Sequence, residues 1–250
     1  GAVGNMAAYG NVSWLFASVS RIAQDVAATN WRLYRGVGNE RREVLSHPVL
    51  DLLALPTPFT TREEFIEGSQ QHLDLCGEFF WLVITNGAGR PVELWPLRPD
   101  RVKPIPHPQD FIAGYIYKIG NDSVALRPDQ VIFTKMPSPL DPYRGMGPVG
   151  AMIYDLGNEK AAAQYQQSFF ANSAEPGGVI EFASSLSETA FDEFVSRWRR
   201  QHQGTGNAHR VAVIENGKWV NRAFSQRDMQ FHRLRMFSRD VIVGGLGIPQ

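Results

Sequence analysis

Between Phe79 and Lys135 six short strand-like segments follow one another with no helical period between them: Phe79 to Thr85, Val92 to Trp95, Arg101 to Ile105, Tyr115 to Ile119, Ser123 to Leu126 and Val131 to Lys135. Parallel neighbours need a long crossover, usually a helix. The connections here are instead polar turns such as Asn86-Gly-Ala-Gly89 and Gly120-Asn121-Asp122. These strands are therefore expected to pair antiparallel, and alternating parallel β-α units are excluded. Prolines crowd the stretch from Pro91 to Pro148, which suits edge strands and rigid loops.

Helices precede the strands. Val12, Leu15, Phe16, Val19, Ile22 and Val26 recur at three- and four-residue steps, so a helix is expected to lead the chain. Trp31 to Arg35 alternates like a half-buried strand and runs into a charged, glycine-containing loop through Glu43. After a short apolar segment from Val49 to Leu55, Thr61-Arg-Glu-Glu64 has capping-box spacing, with Phe65, Ile66, Ser69, His72, Leu73 and Cys76 on one face. Gly77 stands where that helix should stop.

The second half is helical at both ends. From Pro148 a helix of about 24 residues is expected to run to near Asn172, which is roughly 36 Å. Its middle, Gly157 to Ala163, is too small and polar for a globular core helix and suits close packing against another helix. A compact insert follows: a strand from Gly178 to Phe182, a helix from Ser187 bearing Phe191, Phe194, Val195 and Trp198, and strands Arg210 to Glu215 and Lys218 to Ala223 joined by Asn216-Gly217. A second long helix is expected from Ser225 to about Gly244. The chain then ends at Gln250, and it opens without an initiator methionine, as a piece of a longer protein would.

Composition narrows the function without naming it. Twenty-five basic and twenty-five acidic residues argue against a polybasic protein that grips nucleic acid over its whole surface. From Ala190 onward, however, ten basic residues face five acids, and nine of the ten are arginine, the residue suited to planar contact with carboxylates or phosphates. The longest apolar run, Phe79 to Ile84, is far short of the roughly 20 residues that span a bilayer, so no membrane partner is expected. One cysteine, Cys76, forms neither an internal disulfide nor a thiolate metal cluster.

Catalytic motifs are weak. Gly145-Met-Gly-Pro-Val-Gly150 has the glycine spacing of a dinucleotide fingerprint, but no strand precedes it and Pro148 removes a donor from the turn, so no cofactor is expected. Gly244 to Gly247 has no phosphate-loop lysine and is expected to be a helix terminus or bend. The six histidines show no metal spacing, and no catalytic residue or metal ligand is assigned.

Four segments carry a resemblance: ELWPLRPDRVKP (Glu93 to Pro104), LDPYRGMGP (Leu140 to Pro148), FFANSAEPGG (Phe169 to Gly178) and FSRDVIVGGLGIP (Phe237 to Pro249). In this order they resemble the portal proteins of tailed bacteriophages, of the type found in many siphovirus-like phages and prophages. Ser173 stands where that family usually has glycine, and Gly244 to Gly247 replaces a more apolar helix end.

The resemblance implies an elongated α+β portal fold. Residues 1–147 would form a partial wing, 148–174 the first stem helix, 175–224 a small α/β clip, and 225–250 the second stem helix and the start of a tunnel region. The tunnel loop, the rest of the wing and the crown would lie beyond Gln250. It further implies a ring of like subunits, dodecameric when full length, at a capsid vertex of the virion and assembled in the host bacterial cytoplasm. That ring would pass double-stranded DNA during packaging and ejection. Partners implied are the terminase large subunit, the major capsid or scaffold protein and the head-tail connector. No enzymatic activity is implied.

Arg197, Arg199, Arg200 and Arg210 are candidate subunit or terminase contacts in the clip. Glu159, Lys160, Arg233, Arg235 and Arg239 are candidates for the channel wall or for stem packing. The competing reading is a nucleic-acid-processing enzyme whose basic C-terminal half binds substrate.

Overall fold

A computed structural model describes residues 1–171, 178–182, 187–202, 217–221 and 227–249. It divides into two compact units, Gly1–Leu156 with Arg239–Gln250, and Gly157–Ser238.

The first unit opens with α1 (Ala2–Tyr9), which sequence periodicity does not announce, followed by α2 (Ser13–Ala27). A two-stranded ribbon follows, β1 (Tyr34–Arg35) and β2 (Arg42–Glu43), so the strand expected from Trp31 is confined to its last two residues. The apolar segment at Val49 becomes α3 (Pro48–Ala54), whose N-terminus is capped by the His47 side chain. Next comes α4 (Arg62–Cys76), with the full capping box between Thr61 and Glu64 and a left-handed Gly77 at its end. Phe65 and Ile66 on its inner face pack with Ala27 and Leu94.

The six expected strands all form: β3 (Glu78–Thr85), β4 (Pro91–Leu97), β5 (Val102–His107), β6 (Phe111–Ile119), β7 (Asp122–Leu126) and β8 (Val131–Lys135). Every pairing is antiparallel, in two sheets of order β4-β3-β8 and β5-β6-β7. β8 thus skips its sequence neighbour and returns to β3, with Phe80 opposite Phe133. All four strand prolines, Pro91, Pro96, Pro104 and Pro106, lie on the edge strands β4 and β5, where a missing N–H leaves no gap in a ladder. Phe80, Leu97, Val102, Tyr115 and Val131 form a core shared by the two sheets.

The helix expected from Pro148 is broken. Pro148 starts α5 (Pro148–Ala151), the chain leaves helical geometry at Met152 (φ −94°, ψ 9°), and α6 (Ile153–Ala171) resumes. Val149, Met152 and Leu156 pack with Leu15, Val19 and Ile242, and Met152 N–H bonds the carbonyl three residues back, at Val149. Tight packing on α2 and a three-residue turn account for the break.

In the second unit, the antiparallel pair β9 (Gly178–Phe182) and β10 (Gly217–Asn221) keeps Ile180 opposite Trp219 in register. Ser187 caps α7 (Glu188–His202), accepting from the Ala190 N–H at 3.3 Å. α8 (Arg227–Gly245) is the second long helix, with Gly247 in left-handed backbone just beyond its end, as expected of a terminus. The strand expected at residues 210–215 lies outside the described residues.

Candidate functional site

Gly145 and Gly147 serve backbone packing. At the C-terminus of α4, Gly77 turns at φ +77°, and a methyl group there would collide with the Met146 and Gly147 backbone. A methyl on Gly147 would lie 2.6 Å from the Gly77 nitrogen. Two chain segments therefore cross with no room for a side chain, and the Gly77 carbonyl accepts from the Met136 N–H at 2.7 Å.

Glu78, the next residue, is 1% exposed. Its Oε2 accepts from the Gly145 N–H at 2.8 Å and its Oε1 pairs with the Arg144 guanidinium. Burial raises its carboxyl above the usual range, against the opposing pull of the Gly145 N–H and Arg144. Arg144 also donates to the carbonyls of Val102 at 2.8 Å and Pro99 at 3.2 Å, tying the glycine loop to the second sheet. A cavity of about 310 Å³ opens beside this pair, lined among others by Asn5, Cys76, Met146 and Ile153. Burial pushes the Cys76 thiol up to about 12, so it stays protonated and unreactive.

In the second unit α6 and α8 are clasped by one arginine. Arg235 donates from Nε and Nη2 to Glu159 Oε1 at 3.2 and 3.1 Å, and from Nη1 to Gln166 Oε1 at 2.8 Å. Glu159 is 3% exposed, and the small residues Ala162 and Ala163, one turn further along α6, are half-buried. Lys160 and Arg233 are exposed and take no part. Arg239 lies in the first unit, donates to Asp240 at 2.8 and 2.6 Å, and sits 5.8 Å from the Trp14 ring centre.

Of the insert arginines, Arg197 is exposed on α7. Arg199 and Arg200 lie on the same helix, with side chains outside the described set, and Arg210 lies outside the described residues. Composition missed Glu78 and Arg144. Their only sequence signal was an Arg-Gly-x-Gly-Pro string that packing alone explains. Among the described residues no group of three His, Cys, Asp or Glu could hold a metal, and no helix is long and apolar enough to cross a membrane.

Comparison with known proteins agrees over nearly the whole chain. The family model described as phage portal protein matches residues 13–250. The probable portal protein of Streptomyces phage phiC31 is 28% identical over 248 residues, covering 95% of this chain and 54% of that protein. The chain thus spans about half the length of that curated relative. Among solved structures, the neck of an empty gene transfer agent particle, computed with C6 symmetry, matches at TM-score 0.78 and 28% identity, over 99% of this chain and 69% of that one. The crystal structure of an HK97-family phage portal protein from Corynebacterium diphtheriae matches at TM-score 0.62 over 97% of this chain and 75% of that one; at 11% identity this likeness is one of fold.

Proposed function

Because the chain belongs to the phage portal protein family, we propose that it is the wing, stem and clip of a portal subunit whose full-length form closes into a ring at one capsid vertex and conducts double-stranded DNA. The observation that supports this most is α6 and α8 clasped through Glu159 and Arg235, with α7 and the β9-β10 pair inserted between them in the chain. That is the order of a two-helix stem interrupted by a clip, and residues 1–147, 148–174, 175–224 and 225–250 are assigned to wing, first stem helix, clip and second stem helix.

Charge supports a conduit. A wall that neutralised six to ten phosphates would bind DNA tightly and in a strongly salt-dependent way, and transport would stall. Equal numbers of acidic and basic residues over the whole chain fit a subunit that guides DNA without holding it along its entire surface. The arginines at 197, 199, 200 and 210 are assigned to the neighbouring subunit or the terminase large subunit, with few facing DNA. Lys160 and Arg233, exposed on the stem helices, are the channel candidates. Capsid or scaffold protein and the head-tail connector are the remaining proposed partners, at the portal vertex of the virion.

Electron microscopy and native mass spectrometry of the full-length protein test this reading. A closed ring with a hole wide enough for a duplex is expected; a stable monomer, or divalent-metal-dependent nuclease activity, overturns it. The clip assignment is tested by Arg197→Glu with Arg200→Glu, which should abolish ring assembly or motor docking. Both surviving intact would make Arg197 an ordinary solvated residue.

A further inference from the structure

The ribbon between α2 and α3 is folded but unsupported. Neither β1 nor β2 has a buried residue, and Trp31, Tyr34, Val37 and Leu45 are 45, 38, 90 and 85% exposed. Two backbone anchors define it: the Val44 N–H bonds the Leu33 carbonyl at 2.8 Å, and Arg62 holds the Thr29 carbonyl at its base at 3.1 Å. Its tip is built for one shape, since Gly36 turns at φ +96° and a methyl there would meet the Glu40 carbonyl at 2.7 Å. An isolated two-stranded hairpin is marginal in water. This one spends a fixed turn and four large apolar side chains on no core of its own.

Its charges are also set against each other. Arg35 and Arg42 are direct cross-strand partners, an arrangement that destabilises a ladder unless an anion lies beside it. Neither has a carboxylate partner among the described residues, whereas Arg32 reaches Glu43 at 3.6 Å and Arg41 stacks 4.2 Å over the Tyr34 ring. The ribbon holds four arginines against two glutamates, Glu40 and Glu43, while the rest of the first unit holds eleven basic and fifteen acidic residues.

We propose that the ribbon of residues 31–46 is an arm that docks on the acidic first unit of the next copy of this chain, Arg35 and Arg42 jointly taking a carboxylate there while Val37 and Leu45 are covered. This rests on the ring reading above and names its contact. A head-to-tail ring needs two different complementary faces on each subunit, and a basic, apolar-tipped arm against an acidic body supplies both. Bare DNA phosphates would satisfy the arginines but would leave Trp31, Val37 and Leu45 uncovered, so a protein surface is the better fit.

The test uses the full-length protein. Arg35→Glu with Arg42→Glu should raise the concentration needed for ring assembly at least tenfold, with helix content and melting unchanged, while Arg35→Lys with Arg42→Lys should keep rings. In otherwise native protein, a photoactivatable phenylalanine at position 37 should crosslink to a second copy in rings. Rings that form as readily with both glutamates, or crosslinks from position 37 only within one chain or to DNA, overturn the arm and leave the portal reading standing. Absence of rings in the unsubstituted protein overturns both.

Discussion

Arg144 closes over Glu78. The carboxylate, 1% exposed, takes one bond from the arginine and one from the Gly145 N–H, and the same guanidinium reaches the carbonyls of Pro99 and Val102. One arginine thus joins the start of β3, the glycine loop and the second sheet. Its planar fork is what allows three acceptors at once, which a lysine ammonium in the same place would not match.

Removing Arg144 strands a buried carboxylate. Arg144→Ala is expected to lower stability by about 3–5 kcal/mol. Glu78→Gln, which keeps an acceptor for the Gly145 N–H and leaves no buried charge, should lose less, about 1–2 kcal/mol. Urea midpoints of the two variants check the order. Equal losses would mean that the pair contributes through shape alone.

The glycine crossing separates two effects that usually travel together. Gly77 and Gly89 both have left-handed backbone, φ +77° and +73°, but a methyl at Gly89 meets nothing within 4 Å. Gly89→Ala should therefore lose only the backbone preference, about 1–2 kcal/mol. Gly77→Ala must also push the Met146 and Gly147 backbone aside, and is expected to prevent folding of the first unit. A Gly77→Ala protein that melts within a few degrees of Gly89→Ala would refute the close crossing.

What the sequence made legible here was local. The Thr61 capping box, the Gly77 stop, Pro148 at a helix start and all six strands are features a few residues long, and each stands where periodicity put it. Pairing was not legible: β8 matches β3 rather than β7 because the sheets share a core around Phe80, and alternation within one strand carries no address for its partner. α1 was missed for the same reason. Its eight residues include glycine and asparagine, and buried Asn5 holds it through a 2.9 Å bond to the Leu75 carbonyl, a contact 70 residues away. Arginines could be counted but not ranked. That Arg235 is bound to Glu159, 76 residues distant, while Arg233 stays exposed depends on which face of α8 meets α6.

The α6-α8 clasp leads to a double-variant prediction. Arg235→Ala leaves Glu159 buried without its cation and should lower stability by about 3–5 kcal/mol. Replacing both partners by apolar side chains of similar length, Glu159→Leu with Arg235→Met, should recover most of that loss, because both the stranded charge and the desolvation it suffers are gone. Gln166→Ala removes one neutral acceptor and should lose only about 1 kcal/mol. Chemical denaturation of the three variants and the parent checks this. If the double variant is no more stable than Arg235→Ala, the pair is needed for more than charge balance.

Two titrating groups on α4 oppose each other in acid. Burial, assisted by Arg98 and opposed by Asp100, lowers His72 from 6.5 to about 4, and burial raises Asp74 from 3.8 to about 6 against a hydrogen bond from Gln70. The depressed histidine contributes stability that is complete above pH 6.5 and is lost as the pH falls toward 4, because the unfolded chain takes up that proton first. The raised aspartate does the reverse: its contribution is complete below pH 3.8 and is lost as the pH rises through 6, because the folded chain holds that proton longer. Between about pH 4 and 6 these two slopes largely cancel, and the raised carboxyl of Glu78, which like Asp74 favours the folded chain in acid, leaves the parent protein a net loss of stability as the pH rises. Asp74→Asn should be more stable than the parent at pH 7, by about 1–2 kcal/mol once solvent screening is allowed for, and should lose stability steeply on acidification. His72→Gln should become more stable as the pH falls from 6.5 to 4. Urea midpoints measured at half-unit steps from pH 4 to 8 read both slopes directly, and an Asp74→Asn curve parallel to the parent's would show that the carboxylate is as well solvated in the folded chain as in the unfolded one.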